Sequence, residues 1–161
     1  MIPADVSCRP IVVVEDSDED YEVTVWALRE AGVFNPLFRA ASAASIADLL
    51  VEPASWPVLT GGPFPLLLLL DLNLPGANGR DTLAALRRHS LWRSVPVVIV
   101  STSRHEQDVA ACYRVGAAGY LQKPLDLDAF ATAMQQVADY WLKTVVPPIP
   151  SRAARSFMAP T

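Results

Sequence analysis

The sequence predicts a doubly wound α/β fold, a three-layer sandwich with a parallel five-stranded sheet between helices. Two observations carry this. Four short runs, at 11–14, 66–70, 97–100 and more weakly 119–121, are apolar throughout instead of alternating, as strands buried on both faces are. Between them stand segments whose apolar residues recur at helical spacing, and strands alternating with helices predict βαβ units.

The elements follow in order. The run IVVV (11–14) is the first strand and ends in Glu15-Asp16. The acidic stretch EDSDED continues into Asp18, Glu19 and Asp20, which suit the first turn of a helix. Tyr21, Val25 and Leu28 then fall at i, i+4 and i+7, and Gly32 stands where a C′ residue belongs. A fainter run at 37–41 gives the second strand. Ser45 ahead of Ile46, Leu49 and Leu50 gives a short second helix. The stretch VEPASWPVLTGGPFP (51–65) is a long loop rich in Pro and Gly. LLLLL (66–70) is the third strand and ends in Asp71. After the turn LPGANG, Leu83 and Leu86 mark the third helix, with basic residues in its last turn. The fourth strand ends at Ser101. Ser103 and Glu106 read as a capping box for a helix through Val109, Cys112 and Tyr113, closed by Gly116. The fifth strand ends at Lys123. Leu127, Phe130, Met134, Val137 and Trp141 form the last helix, with Asp126 as N-cap. This order predicts the flavodoxin-like strand arrangement 2-1-3-4-5. It leaves residues 1–9 as an extension, 10–143 as the domain and 144–161 as a tail.

Composition narrows the function. With 161 residues, of which 52% are hydrophobic, the chain suits one packed domain. Its 13 basic and 17 acidic residues give a net charge of −4, which argues against a nucleic-acid partner. No apolar run approaches the ~18 residues of a membrane span, and MIPADVSCRP has no signal-peptide pattern. Cys8 and Cys112 show no metal or disulfide spacing, which points to free thiols in the cytoplasm.

In an open parallel sheet, ligands bind at the carboxyl ends of the strands, where the strand order reverses. That crevice brings Glu15 and Asp16 beside Asp71. Three carboxylates so close either rise in pKa or share a cation. An all-oxygen, partly hydrated set favours Mg²⁺, held by Asp16 and Asp71, by Glu15 through water and by the backbone carbonyl of Asn73. Ser101 and Lys123 end the neighbouring strands at the same edge. Acids with a metal, a hydroxyl and an ammonium suit a phosphoryl group, and Asp71 is the candidate nucleophile.

VVVEDS (12–17), LLLDLNLPGANG (68–79), VVIVSTS (97–103) and GAAGYLQKP (116–124) occur in the order, and at the strand ends, of one family. Over roughly 10–143 the chain resembles the receiver domain of bacterial two-component response regulators. The resemblance implies that Asp71 takes a phosphoryl group from a sensor histidine kinase with Mg²⁺. It implies metal binding by Glu15 and Asp16, a counter-ion role for Lys123, a switch hydroxyl at Ser101 and a coupled aromatic at Tyr120. It also implies a cis peptide before Pro124. Many members carry two aspartates where this chain has Glu15-Asp16. The long loop, the Glu-Asp pair and DLNLPGANG most resemble single-domain regulators paired with phytochrome-type kinases. On this reading phosphorylation draws Ser101 toward the new oxygens, Tyr120 rotates inward, and the face of the fourth helix, fifth strand and fifth helix changes shape.

Alternatives stand beside these roles. Tyr120 can be plain packing, and Ser103 can be either the cap of its helix or a neighbour of the hydrolytic water. His89 and His105 read as surface residues. The tail is either disordered or joins Tyr140, Trp141, Val145 and Val146 in a homodimer through Phe157 and Met158. An aspartate-based phosphatase of the haloacid dehalogenase type would need a second acid where Asn73 stands. A flavodoxin would need a phosphate-cradling loop where EDSDED stands. A phosphate-storage receiver keeps the same edge, whereas an inert adaptor receiver would lack one or more of its residues, and none is missing here. No further domain is expected after the fifth helix, and the protein reads as a signalling phosphoacceptor, not an enzyme.

Overall fold

A computed structural model describes residues 4–42, 65–90 and 92–148 of the chain. The second helix expected after Ser45, the loop over 51–64 and the tail beyond 148 lie outside the described residues.

The elements run α1 (Ala4–Ser7), β1 (Ile11–Val14), α2 (Asp18–Glu30), β2 (Leu37–Ala40), β3 (Leu67–Leu70), β4 (Asn73–Leu74), β5 (Ala77–Asn78), α3 (Gly79–Arg88), β6 (Val97–Ser101), α4 (Glu106–Val115), β7 (Gly119–Gln122) and α5 (Leu127–Ala138). The main sheet has the order β2-β1-β3-β6-β7, and every pairing in it is parallel. This is the expected 2-1-3-4-5 arrangement.

The uniform apolarity of the central strands is explained by two cores. Val12, Val14, Leu68, Leu70, Val97 and Ile99 face Leu83 and Leu86 of α3 and Cys112 of α4. Ile11, Val13, Leu67, Leu69, Val98 and Val100 face Ala27 and Leu28 of α2 and Phe130 and Met134 of α5. Alternate residues of each strand serve opposite faces, so apolar side chains are called for along the strand on both sides. Each fully buried leucine contributes about 1.5–3 kcal/mol by burial.

Several ends form as the sequence indicates. Ser17 caps α2 by accepting from the Asp20 amide, and Asp126 caps α5 by accepting from the Asp128 amide. Gly116 ends α4 at a left-handed φ of 118°. The capping box does not form. α4 starts at Glu106 with His105 in the cap position and no side-chain cap bond, so Ser103 lies two residues ahead of the cap. A second correction concerns Pro124: among the described residues no peptide bond is cis, so the Lys123–Pro124 bond is trans, the isomer that X–Pro bonds favour.

The N-terminal stretch is tied into the domain. Arg9 is buried and donates to the carbonyls of Pro65 and Pro148, both at 3.0 Å. Asn35 donates to the carbonyls of Val6 and Arg9 at 2.8 Å. A lone arginine in a polar leader has no periodicity, so its partners were invisible in the sequence.

The turn after Asp71 has its own architecture. β4 and β5 form a two-residue hairpin pairing Asn73 with Asn78 and Leu74 with Ala77, with Gly76 at φ 72° in its turn. The hairpin folds Gly79 back onto the chain: its amide donates to the Leu72 carbonyl at 3.2 Å. A Cβ on Gly79 would meet Leu72 Cα at 2.6 Å and the Asp71 carbonyl oxygen at 3.0 Å. Only glycine lets α3 begin directly behind Asp71.

Candidate functional site

Three strand ends assemble the site. Backbone bonds set their heights: the Asp71 amide donates to the Val14 carbonyl at 3.1 Å, and the Lys123 amide to the Ser101 carbonyl at 2.8 Å. Glu15, Asp16 and Asp71 each place a carboxylate oxygen within 4.8 Å of the other two. Lys123 reaches into this group. Its Nζ lies 2.8 Å from Glu15 Oε1, 3.4 Å from Asp71 Oδ2 and 3.5 Å from Asp20 Oδ2. The structure therefore brings Glu15, Asp16, Asp71 and Lys123 together as the topology demands.

Glu15 is the most constrained of them, with 3% of its surface exposed. Its carboxyl is pushed up to about 7, first by burial and then by the Asp71 carboxyl within hydrogen-bonding reach, against the opposing pull of Lys123. Oε2 has no donor. Two ionised carboxylates have no proton between them, so a bond from Glu15 to Asp71 exists only while Glu15 is protonated. Burial pulls the Lys123 ammonium down. The hydrogen bond to Glu15 and the charges of Asp71, Glu15 and Asp20 outweigh it and hold the group above the ordinary lysine value.

A pH dependence follows. Glu15 binds its proton more tightly folded than unfolded, so the metal-free protein loses stability as pH rises from the unfolded value near 4.5 through about 7. Glu15→Gln removes the ionisation. In EDTA it should raise the melting temperature at pH 8, and the gain should vanish toward pH 4.5. A gain equal at both pH values would contradict the assignment.

Asp71 is 8% exposed, and its Oδ1 accepts from the Asn73 amide at 3.0 Å. Asn73 itself is exposed in the hairpin. Ser101 is fully buried at the end of β6, where its hydroxyl accepts from the Ser103 amide at 3.2 Å. Ser103 donates to Asp108 Oδ2 at 2.7 Å and accepts from the His105 amide at 3.3 Å. Ser103 does not cap α4 because the helix begins only at Glu106, with His105 in the cap position. Ser101, Ser103 and Asp108 line a polar cleft of about 310 Å³ with Leu72, Asn73, Leu74, Asn78 and Arg80.

Tyr120 is half-buried. Its ring packs against the core, its hydroxyl donates to the Ser103 carbonyl at 3.0 Å, and its amide donates to the Tyr113 hydroxyl at 3.1 Å. In this position the polar atoms of Tyr120 are satisfied by protein groups. Sequence reasoning missed Asp20 as a partner of Lys123 and the pairing of Arg80 with Asp108 at 3.9 Å. Both join residues remote in sequence, and charge at a helix start looks the same whether solvated or paired.

A sheet of this order, with acids at its central strand ends and a lysine beside them, defines the receiver class. The family model for the response regulator receiver domain matches residues 11–135, and the chain belongs to that family of signalling proteins. Among curated proteins it is 31% identical over 140 residues to the response regulator Rcp1 of Synechocystis, covering 87% of this chain and 93% of that one. Among solved structures it is similar to the Mn²⁺-bound form of Rcp1, at 30% identity and a TM-score of 0.76. It is also similar to the phosphorylated cyanobacterial phytochrome response regulator RcpA, at 27% identity and a TM-score of 0.78. Both structural matches cover 88% of this chain and 99% of the other. Among the described residues no helix is long and apolar enough to cross a membrane.

Proposed function

We propose that Asp71 accepts a phosphoryl group from a sensor histidine kinase, with Mg²⁺ at the acidic edge, and that the change is read on the α4-β7-α5 face. The observation that carries this is Lys123 Nζ standing 3.4 Å from Asp71 inside a cluster of carboxylates. Such a set has a counter-ion ready for added phosphoryl oxygens. The residues also fit a divalent cation: the donors are all oxygen, and the buried Glu15 Oε2 lacks a partner. Asp16 and Asp71 would hold it, with Glu15 through water and the Asn73 carbonyl. Bound there, a cation supplies positive charge to the phosphoryl oxygens.

The chain's own residues do the rest. An Asp71 carboxylate oxygen bonds to phosphorus while the bond from phosphorus to the kinase's histidine nitrogen breaks, leaving the imidazole with the electron pair and an acyl phosphate on Asp71. Lys123 then pairs with the new oxygens. Ser101 uses its oxygen to accept from Ser103, so its proton is free to donate to the phosphoryl group. The group adds a charge of about −1.5 to −2, and the pull on Ser101 passes through Ser103 to Tyr120 and α4. Asn73 supplies no second acid, so turnover of outside substrates is not part of this reading.

The relatives favour a kinase of the phytochrome type and, with it, a cytoplasmic location, which cell fractionation tests. Tyr140 and Val146 are 51% and 94% exposed after α5, apolar surface that supports a homodimer. Incubation with acetyl phosphate should label the protein with Mg²⁺ present and not in EDTA. Labelling that ignores EDTA would overturn the metal's role. Light scattering on the same samples should give the mass of two chains; one chain in every sample would remove the dimer.

A further inference from the structure

Glu15 and Asp16 lie beyond Val14, the last residue of β1. The sheet ladder therefore stops where the carboxylates begin. The Glu15 amide still donates to the Ala40 carbonyl at 3.1 Å, but the carbonyls of Glu15 and Asp16 have passed the end of the ladder. Arg39 of β2 takes them. Its Nε donates to the Glu15 carbonyl and its Nη2 to the Asp16 carbonyl, both at 3.0 Å. Its Nη1 donates to Asp18 Oδ1 at 2.6 Å. The guanidinium lies over the Tyr21 ring, 4.8 Å from its centre.

The contacts differ in weight. Asp18 is 86% exposed, so the ion pair is screened and contributes little. The two carbonyl bonds are part-buried and come from one planar fork, which fixes two successive peptide planes together. Those planes carry Glu15 and Asp16. Lysine offers a point charge without the fork.

We infer that Arg39 is a positioning residue for the divalent cation: it holds the Glu15-Asp16 backbone so that both carboxylates meet Asp71. This rests on the reading of those three acids as the cation's ligands. Geometry and charge act with opposite signs here. A cation beside the site opposes metal binding, so as a mere charge Arg39 would weaken affinity, and its removal would tighten it. As a clamp it strengthens affinity, and its loss weakens it.

Manganese binding, followed by the electron paramagnetic resonance of free Mn²⁺, separates the two. Wild type, Arg39→Lys, Arg39→Met and Asp16→Asn are compared at fixed salt, with melting in EDTA recorded for each. Both Arg39 variants should bind Mn²⁺ about tenfold more weakly, the usual cost of losing a residue that orients a ligand. Arg39→Lys is decisive, since it keeps the charge and the aliphatic stem and is the variant that stays folded if Arg39→Met does not. Wild-type affinity in Arg39→Lys, tighter binding in Arg39→Met, or a lower melting temperature with unchanged affinity would overturn the inference. Failure of the ligand reading looks different: wild type binds no Mn²⁺, or Asp16→Asn binds it as well as wild type.

Discussion

Asp71→Asn should abolish phosphoryl uptake from acetyl phosphate while leaving the fold intact. The amide is isosteric, and its oxygen can still accept from the Asn73 amide, as Asp71 Oδ1 does at 3.0 Å. Lys123 keeps Glu15 at 2.8 Å. What is lost is the anionic oxygen that bonds to phosphorus, and a neutral amide is no substitute nucleophile. The Glu15 carboxyl should also fall from about 7, because the Asp71 carboxyl is part of what raises it. Intact-mass measurement after acetyl phosphate treatment reads the first effect, and pH-dependent melting reads the second. Uptake by the variant at the wild-type rate would remove Asp71 from its role.

Lys123→Met should have the next largest effect, with two signs. The ammonium is the one cation found within 4 Å of Glu15 or Asp71 among the described residues. Removing it takes away the preplaced partner of the transferring phosphoryl oxygens. Loss of one such electrostatic group costs about 10²–10³ in rate. Metal affinity should move the other way, because a fixed positive charge no longer opposes a cation among the acids. The backbone survives, since the Lys123 amide bonds to Ser101 independently of the side chain. Slower labelling by acetyl phosphate with tighter Mn²⁺ binding is the expected pair of results. Unchanged labelling would show that Lys123 only balances charge in the resting protein.

The parts of the fold that were plain in the sequence are those with one cause. β1, β3 and β6 read clearly because both faces of each are covered, and every residue of each is buried. β2 and β7 read faintly for the same reason inverted. They are the sheet's edges, and seven of their eight residues are only half-buried, so selection for apolarity is weaker there. The acidic edge was legible because strand order alone brings Glu15, Asp16 and Asp71 together. Interactions set by side-chain reach were not. Ser103 has the right spacing to Glu106 for a capping box, but the helix begins at Glu106 itself and leaves Ser103 two residues ahead of the cap. Arg39 is a single charge in LFRA, a lone exception to a strand pattern. Neither its carbonyl partners nor its stacking on Tyr21 has a sequence period. The trans bond before Pro124 replaces an expectation drawn from resemblance, not from residues.

The most direct measurement is chemical trapping of the modified side chain. The native protein is treated with acetyl phosphate and Mg²⁺, any acyl phosphate is reduced with borohydride, and the peptides are sequenced by mass spectrometry. The expected result is homoserine at position 71, with none at Asp16, Asp18 or Asp20 and no reduced side chain at Glu15. Reduction at another carboxylate of the edge, or none at Asp71 under conditions where Mg²⁺ binds, would contradict the account.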